Sequence, residues 1–164
     1  MVQMNQTSWQ EYSLTDVMDI LSFPPMNLAI GTAPLLHYVF PKRIAPGAII
    51  KYNLAIGFKV FSWTGIISAI NGNDVMVRLD KGPFRGFTAK HEFEEDGNIT
   101  ICMDSFTFQG FTEFSEESFS ALINKAHIAH AIESRKNARE IHLAIEARKK
   151  TQSFESLESS ATAG

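Results

Sequence analysis

Two residues able to move a proton, His91 and Asp104, lie in a stretch otherwise dominated by aromatic and small side chains, KGPFRGFTAKHEFEEDGNITICMDSFTF from Lys81 to Phe108. An imidazole titrates near neutrality, and a carboxylate beside it fixes its tautomer and raises its basicity. Such a pair can serve as general acid or base, can hold a polar atom of a ligand, or can satisfy itself as buried polar groups must. Cys102 is the single cysteine. Beside a histidine it could be activated as a thiolate, whereas a lone buried cysteine behaves as a small hydrophobe. His127, His130 and Glu133 have a spacing of three and could offer ligands to a metal. A stable zinc site needs three or four enclosed ligands, and this stretch reads instead as a solvated helix face, so no metal and no cofactor is expected. Gly82 to Gly86 lacks the spacing, lysine and hydroxyl of a phosphate loop, and Gly82-Pro83 reads as a turn at the rim of a pocket.

The elements that must position His91 and Asp104 are two strands joined at Asp96-Gly97. Asp-Gly favours a two-residue type I′ turn, which would pair Glu95 with Asn98, His91 with Cys102 and Ala89 with Asp104. His91 and Asp104 are then diagonal neighbours, within reach of long side chains. Alternation puts Phe87, Ala89, His91, Phe93, Thr100, Cys102, Asp104, Phe106 and Phe108 on one face. That face holds four phenylalanines and no lysine or glutamate, so it is read as inward. Thr88, Lys90, Glu92, Glu94, Ile99, Ile101, Met103 and Ser105 face outward.

Along the rest of the chain, residues 1 to 8 are polar and read as frayed, with a short strand over Trp9 to Leu14. Thr15 and Asp16 suit a helix N-cap ahead of Val17 to Leu21, ended by Pro24-Pro25, and Asn27 to Thr32 suits a second short helix. Strands follow over Leu35 to Phe40, Ala48 to Ala55, Phe58 to Ile70 and Asp74 to Asp80, separated by turn signals that include a second hairpin pair, Asn71-Gly72. The turns are too tight for crossover helices, which makes the sheet an antiparallel meander. After Ser115, Glu116 and Glu117, the chain from Ser118 to Lys150 contains no Gly or Pro. It reads as one helix about 50 Å long. Its first stripe, Phe119, Leu122, Ile123 and Ala126, is expected on the sheet; the half carrying the second, Ala138, Ile141, Ala144 and Ile145, is expected to overhang, to kink or to meet another subunit. Residues 151 to 164 read as a disordered tail, leaving residues 1 to 150 as a single domain.

With 15 basic and 18 acidic residues, a net charge of −3 and a pI near 5.9, the chain lacks the concentrated basic field that nucleic acid requires. No segment has the length to span a bilayer, and the N-terminus lacks the basic and apolar regions of a signal peptide. A single cysteine rules out an internal disulfide and fits the cytoplasm, the expected location. Thirteen Phe, three Tyr and two Trp suit either a solid core or the lining of an apolar cavity.

The run Pro46-Gly47 before a strand, then Trp63, Gly82-Pro83-Phe84, His91-Glu92-Phe93, Gly97, Thr100 and Asp104 resembles the ligand-binding subgroup of the START-like, or SRPBCC, superfamily, across residues 15 to 125. That resemblance implies an α+β helix-grip fold, a curved antiparallel sheet of six to seven strands wrapped around a long C-terminal helix, with a hydrophobic cavity between them. The weak N-terminal strand and unusually long last helix depart from the pattern. The expected ligand is a hydrophobic or aromatic small molecule, and the expected lining is Tyr52, Trp63, Phe87, Ala89, His91, Phe93, Cys102, Asp104, Phe106, Leu122, Ile123 and Ala126. Binding, transport or sensing without chemistry is the favoured function. The alternatives are a cyclase, aromatase or dehydratase-like enzyme with His91 as acid or base and Asp104 supporting it, and an interaction module acting through the long helix, with a homodimer as one outcome.

Overall fold

The computed structural model describes residues 1–23, 34–128, 140 and 143–153. Strands β1 (Val2–Gln10), β2 (Leu35–Val39), β3 (Ile49–Ile56), β4 (Lys59–Asn71), β5 (Asp74–Lys81), β6 (Phe84–Asp96), β7 (Ile99–Phe111) and β8 (His127–Ile128) form one sheet in the order β1-β7-β6-β5-β4-β3-β2-β8. Seven strands are antiparallel, as the meander requires, and the two-residue β8 runs parallel to β2. With helices α1 (Leu14–Leu21) and α2 (Glu116–Ile123) and a further helical stretch over residues 143–153, this is an α+β helix-grip architecture.

The N-terminal residues are not frayed. Every residue of β1 pairs with β7, from Val2 opposite Phe108 to Gln10 opposite Thr100. Alternate side chains from Val2 onward turn inward, so polar composition concealed a regular, fully paired strand. Helix α1 is capped earlier than Thr15 or Asp16: the Ser13 hydroxyl accepts from the Asp16 backbone N–H at 3.3 Å. Val17, Ile20 and Leu21 are its buried stripe. The second short helix expected over Asn27 to Thr32 lies outside the described residues.

Three hairpins share one turn solution. The loop residues are Gly57-Phe58, Gly72-Asn73 and Gly97-Asn98, closed by Ile56 with Lys59, Asn71 with Asp74, and Asp96 with Ile99. Each glycine has φ near +60° and each residue after it a negative φ, the II′ arrangement with glycine at the first central position. A type I′ turn on Asp96-Gly97 would have required the left-handed region at the non-glycine Asp96 as well. The β6–β7 register is therefore displaced by two residues from the expected one, placing His91 opposite Asp104, Phe93 opposite Cys102 and Ala89 opposite Phe106. An even displacement preserves the faces, and the inward set from Phe87 to Phe108 is buried as predicted.

The uninterrupted helix over Ser118 to Lys150 is corrected. Ser115 caps α2, whose first turn carries Glu116 and Glu117, but the helix ends at Asn124, and the backbone of His127 and Ile128 pairs with Leu35 and Leu36 of β2. Helix propensity is a weak local preference; completing the exposed hydrogen-bonding edge of β2 outweighs it here. Phe119 and Ile123 are the buried residues of α2, joining one hydrophobic cluster with residues of α1 and β1–β7.

Candidate functional site

Four side chains from four strands meet on the inner side of the sheet. His91 Nδ1 lies 2.7 Å from Asp104 Oδ1, His91 Nε2 lies 2.9 Å from the Tyr52 hydroxyl, and the Tyr38 hydroxyl donates to Asp104 Oδ2 at 3.0 Å. None of the four residues is more than 1% exposed. The chain Tyr52–His91–Asp104–Tyr38 thus satisfies its members internally, as low-dielectric burial demands.

Only curvature can assemble it. Tyr38 on β2 and Asp104 on β7 are five strands apart in the sheet order, about 24 Å in a flat sheet at ordinary strand spacing, yet their oxygens are in hydrogen-bond contact. The sheet curls until opposite flanks face each other. His91 then sits inside aromatic walls, with ring centroids 4.5 Å from Tyr38, 5.2 Å from Phe40, 6.0 Å from Tyr52 and 5.7 Å from Phe106.

The electrostatics follow from this enclosure. Burial, reinforced by the Asp104 carboxylate, raises the Tyr52 hydroxyl well above its ordinary pKa, so it remains a protonated phenol. With Nδ1–H directed at Asp104, Nε2 accepts from that phenol; a protonated ring would donate to it instead. Tyr38 spends its proton on Asp104. Cys102 is not across from His91: its cross-strand neighbours are Phe93 and Ser8. Burial, then the Asp104 charge, push its thiol up to about 12 against the pull of a Ser8 hydrogen bond. That is the opposite of an activated nucleophile.

Of the expected lining, Tyr52, Trp63, Phe87, Ala89, His91, Phe93, Cys102, Asp104 and Phe106 are all buried on the inner face. Tyr52, Trp63, Phe87 and Phe106 are joined by ring contacts. Ile123 and Ala126 are buried as well, whereas Leu122 is half-buried. α2 instead directs Phe119 onto Phe84 and Phe108. Tyr38 escaped the sequence reading. Its parity with Leu36 and Phe40 marks it as inward, but nothing local says that it reaches a carboxylate 66 residues away. The side chains of His127, His130 and Glu133 lie outside the described residues, and among the described ones no cluster of three metal-ligating groups occurs. No described helix is long and apolar enough to cross a membrane.

This curled sheet with its helices is the START-like, SRPBCC-type helix-grip fold. A START superfamily protein from Mycobacterium smegmatis superposes with a TM-score of 0.51 at 11% identity, over 92% of this chain and 98% of that one. TTHA0849 from Thermus thermophilus superposes with a TM-score of 0.51 at 12% identity, over 75% of this chain and 84% of that one. No family model matches the sequence, and no curated protein does.

Proposed function

We propose that this protein binds a hydrophobic or aromatic small molecule on the concave side of its sheet, without chemical change to it, and that the Tyr52–His91–Asp104–Tyr38 chain orients the ligand's polar group. The observation that carries this reading is the buried polar chain itself, set among aromatic rings on the inner face. Ligand sites are predominantly apolar with a few placed polar groups, and the fold is compatible with such use. The Tyr52 hydroxyl, which donates to His91, retains acceptor capacity, which suits a ligand bearing an O–H or N–H donor on an apolar body. The acidic composition argues for a ligand other than nucleic acid, and the free cysteine suits action in the cytoplasm.

Native mass spectrometry of gently purified protein, followed by titration with the uncharged fluorophore N-phenyl-1-naphthylamine, tests the proposal. Saturable fluorophore binding that a co-purified molecule displaces is the expected result. His91→Ala and Tyr52→Phe should retain the fluorophore while weakening the displacing molecule by about tenfold, the effect of one lost buried hydrogen bond. A folded wild-type protein that neither carries a molecule nor binds the fluorophore overturns it.

A second reading is an acid–base enzyme, favoured by the ordered contacts on both nitrogens of His91. Since both nitrogens are occupied, the group presented to a substrate would be the Tyr52 phenol, with His91 and Asp104 positioning it. Tyr52→Phe would then abolish turnover while leaving substrate binding measurable. The interaction reading rests on residues 143–153, where Leu143 and Ile145 are exposed at 52% and 47%. If this helix joins two copies, removing residues 140–164 converts a dimer to a monomer in size-exclusion chromatography with light scattering; an unchanged mass rejects it.

A further inference from the structure

The two indoles of the chain differ sharply. Trp9 is 69% exposed, whereas Trp63 is 3% exposed, and the Trp63 Nε1 is buried without a hydrogen-bond acceptor. Buried donors are nearly always paired, so an orphan calls for an explanation. The ring cannot turn to find a partner. It stacks on Tyr52 with centroids 5.6 Å apart and planes 6° from parallel, and it meets Phe84, Phe87 and Phe108 edge to face at 5.2, 5.7 and 5.8 Å. Gly82 closes on its base, where a Cβ would lie 2.5 Å from the Trp63 Cβ. Of these neighbouring rings, only Tyr52 carries a polar atom, and its hydroxyl is engaged with His91.

The same surroundings specify the charge of the missing acceptor. The buried polar residues among those described are His37, His91, Thr100 and Asp104, with no lysine or arginine. Lys51 and Lys81, which line an opening beside Tyr52 and Trp63, are solvent-exposed, so an anion at the buried indole would lose its hydration with no buried cation to offset the loss, and would add to the Asp104 charge. An uncharged oxygen meets neither penalty. Its place relative to the polar chain is also defined, because the Tyr52 ring lies nearly parallel to both Trp63 and His91, at 6° and 14°. The orphan donor and the polar chain therefore flank one aromatic stack, Trp63–Tyr52–His91.

We propose that the concave-side ligand carries an uncharged acceptor, a ketone, ester or ether oxygen, that takes the Trp63 indole hydrogen. The inference rests on the binding function proposed above and adds the chemical class of the ligand's polar group.

The test uses ¹⁵N-labelled full-length protein carrying Trp9→Phe, which leaves Trp63 as the single indole resonance. The probes are 2-acetylnaphthalene, its hydrocarbon analogue 2-ethylnaphthalene, and 2-naphthoate as the anion. The ketone should bind about tenfold tighter than the hydrocarbon, the worth of one buried hydrogen bond, and should move the Trp63 Nε1–H signal downfield in a saturable way. Naphthoate should bind more weakly than the ketone. Trp63→Phe, which keeps an aromatic ring against Tyr52, should erase the preference for ketone over hydrocarbon while both still bind. Equal affinity for ketone and hydrocarbon, an indole signal unmoved at saturation, or tightest binding of naphthoate overturns the inference and leaves the binding function standing. Loss of binding for every probe and for N-phenyl-1-naphthylamine overturns both.

Discussion

His91 is held at both nitrogens inside an aromatic enclosure, so the energetic consequences of altering it and its neighbours are unequal. Asp104→Asn exchanges an acceptor of two hydrogen bonds for a group with one acceptor oxygen, leaving Tyr38 or His91 facing an amide donor. It should cost about 3 kcal/mol, in the range for breaking a buried charged network. Tyr38→Phe removes one donor to the buried carboxylate and should cost about 2 kcal/mol. Urea denaturation ranks the two, and an Asp104→Asn protein within about 0.5 kcal/mol of wild type would show that the chain has little energetic weight. Cys102 and Tyr52 set the alkaline limit. Both have folded pKa values above their unfolded ones. Their contribution is therefore fully present below the unfolded values and is lost as pH rises, beginning for the thiol at 9.0 and continuing towards about 12. Each group contributes a slope of about 1.4 kcal/mol per pH unit inside its window. The urea midpoint should fall as pH rises from about 9 towards about 12, and Cys102→Ala should remove the earlier part of that fall. A wild-type midpoint that stays level across the range would contradict this.

Among the elements, the hairpin turns and the close approach of β4 to β5 make opposite demands on glycine. Gly57 and Gly97 have φ of 57° and 62°, and the Cβ of an alanine at either would meet nothing within 4 Å, so Gly→Ala should cost only the backbone strain, about 1 kcal/mol. Gly65 has an ordinary φ but no room: its Cβ would lie 2.4 Å from Val77 Cγ1 and 3.0 Å from Tyr52 Cε2. Gly65→Ala should cost about 2–3 kcal/mol and should perturb the Tyr52 ring as well, visible in its near-ultraviolet circular dichroism. Equal losses at Gly65 and Gly97 would refute the distinction. The asparagine before Gly72 and the aspartate before Gly97 drew the sequence reading one position too early in each loop. Local turn statistics fix that a hairpin occurs; whether the glycine takes the first or second central position depends on the pairing of strands up to 13 residues long.

For the whole molecule, the curl of the sheet does two things at once. It brings β2 against β7 to complete the polar chain, and it leaves β1 as the last strand on one flank and β8 on the other. Removing β1 would expose the full edge of β7 and uncover Phe106 and Phe108, opposite Met4 and Val2. A protein lacking residues 2–10 should self-associate through that edge, detectable as a shift to higher mass in light scattering. A monomer of unchanged stability would show β1 to be dispensable.

The sequence by itself determined which side chains face inward on β6 and β7 and the antiparallel meander, because alternation and turn punctuation are local signals, and the START-like fold class was implied by the resemblance of its Gly-Pro-Phe, His-Glu-Phe and Asp104 run. The sequence also singled out His91 and Asp104. Only the tertiary structure decided that they are direct cross-strand partners, that Tyr38 and Tyr52 complete their hydrogen bonds, and that residues 127–128 extend the sheet where local propensity favoured helix. Register, curvature and edge completion are settled by contacts between residues far apart in the chain, and no spacing along the sequence encodes them.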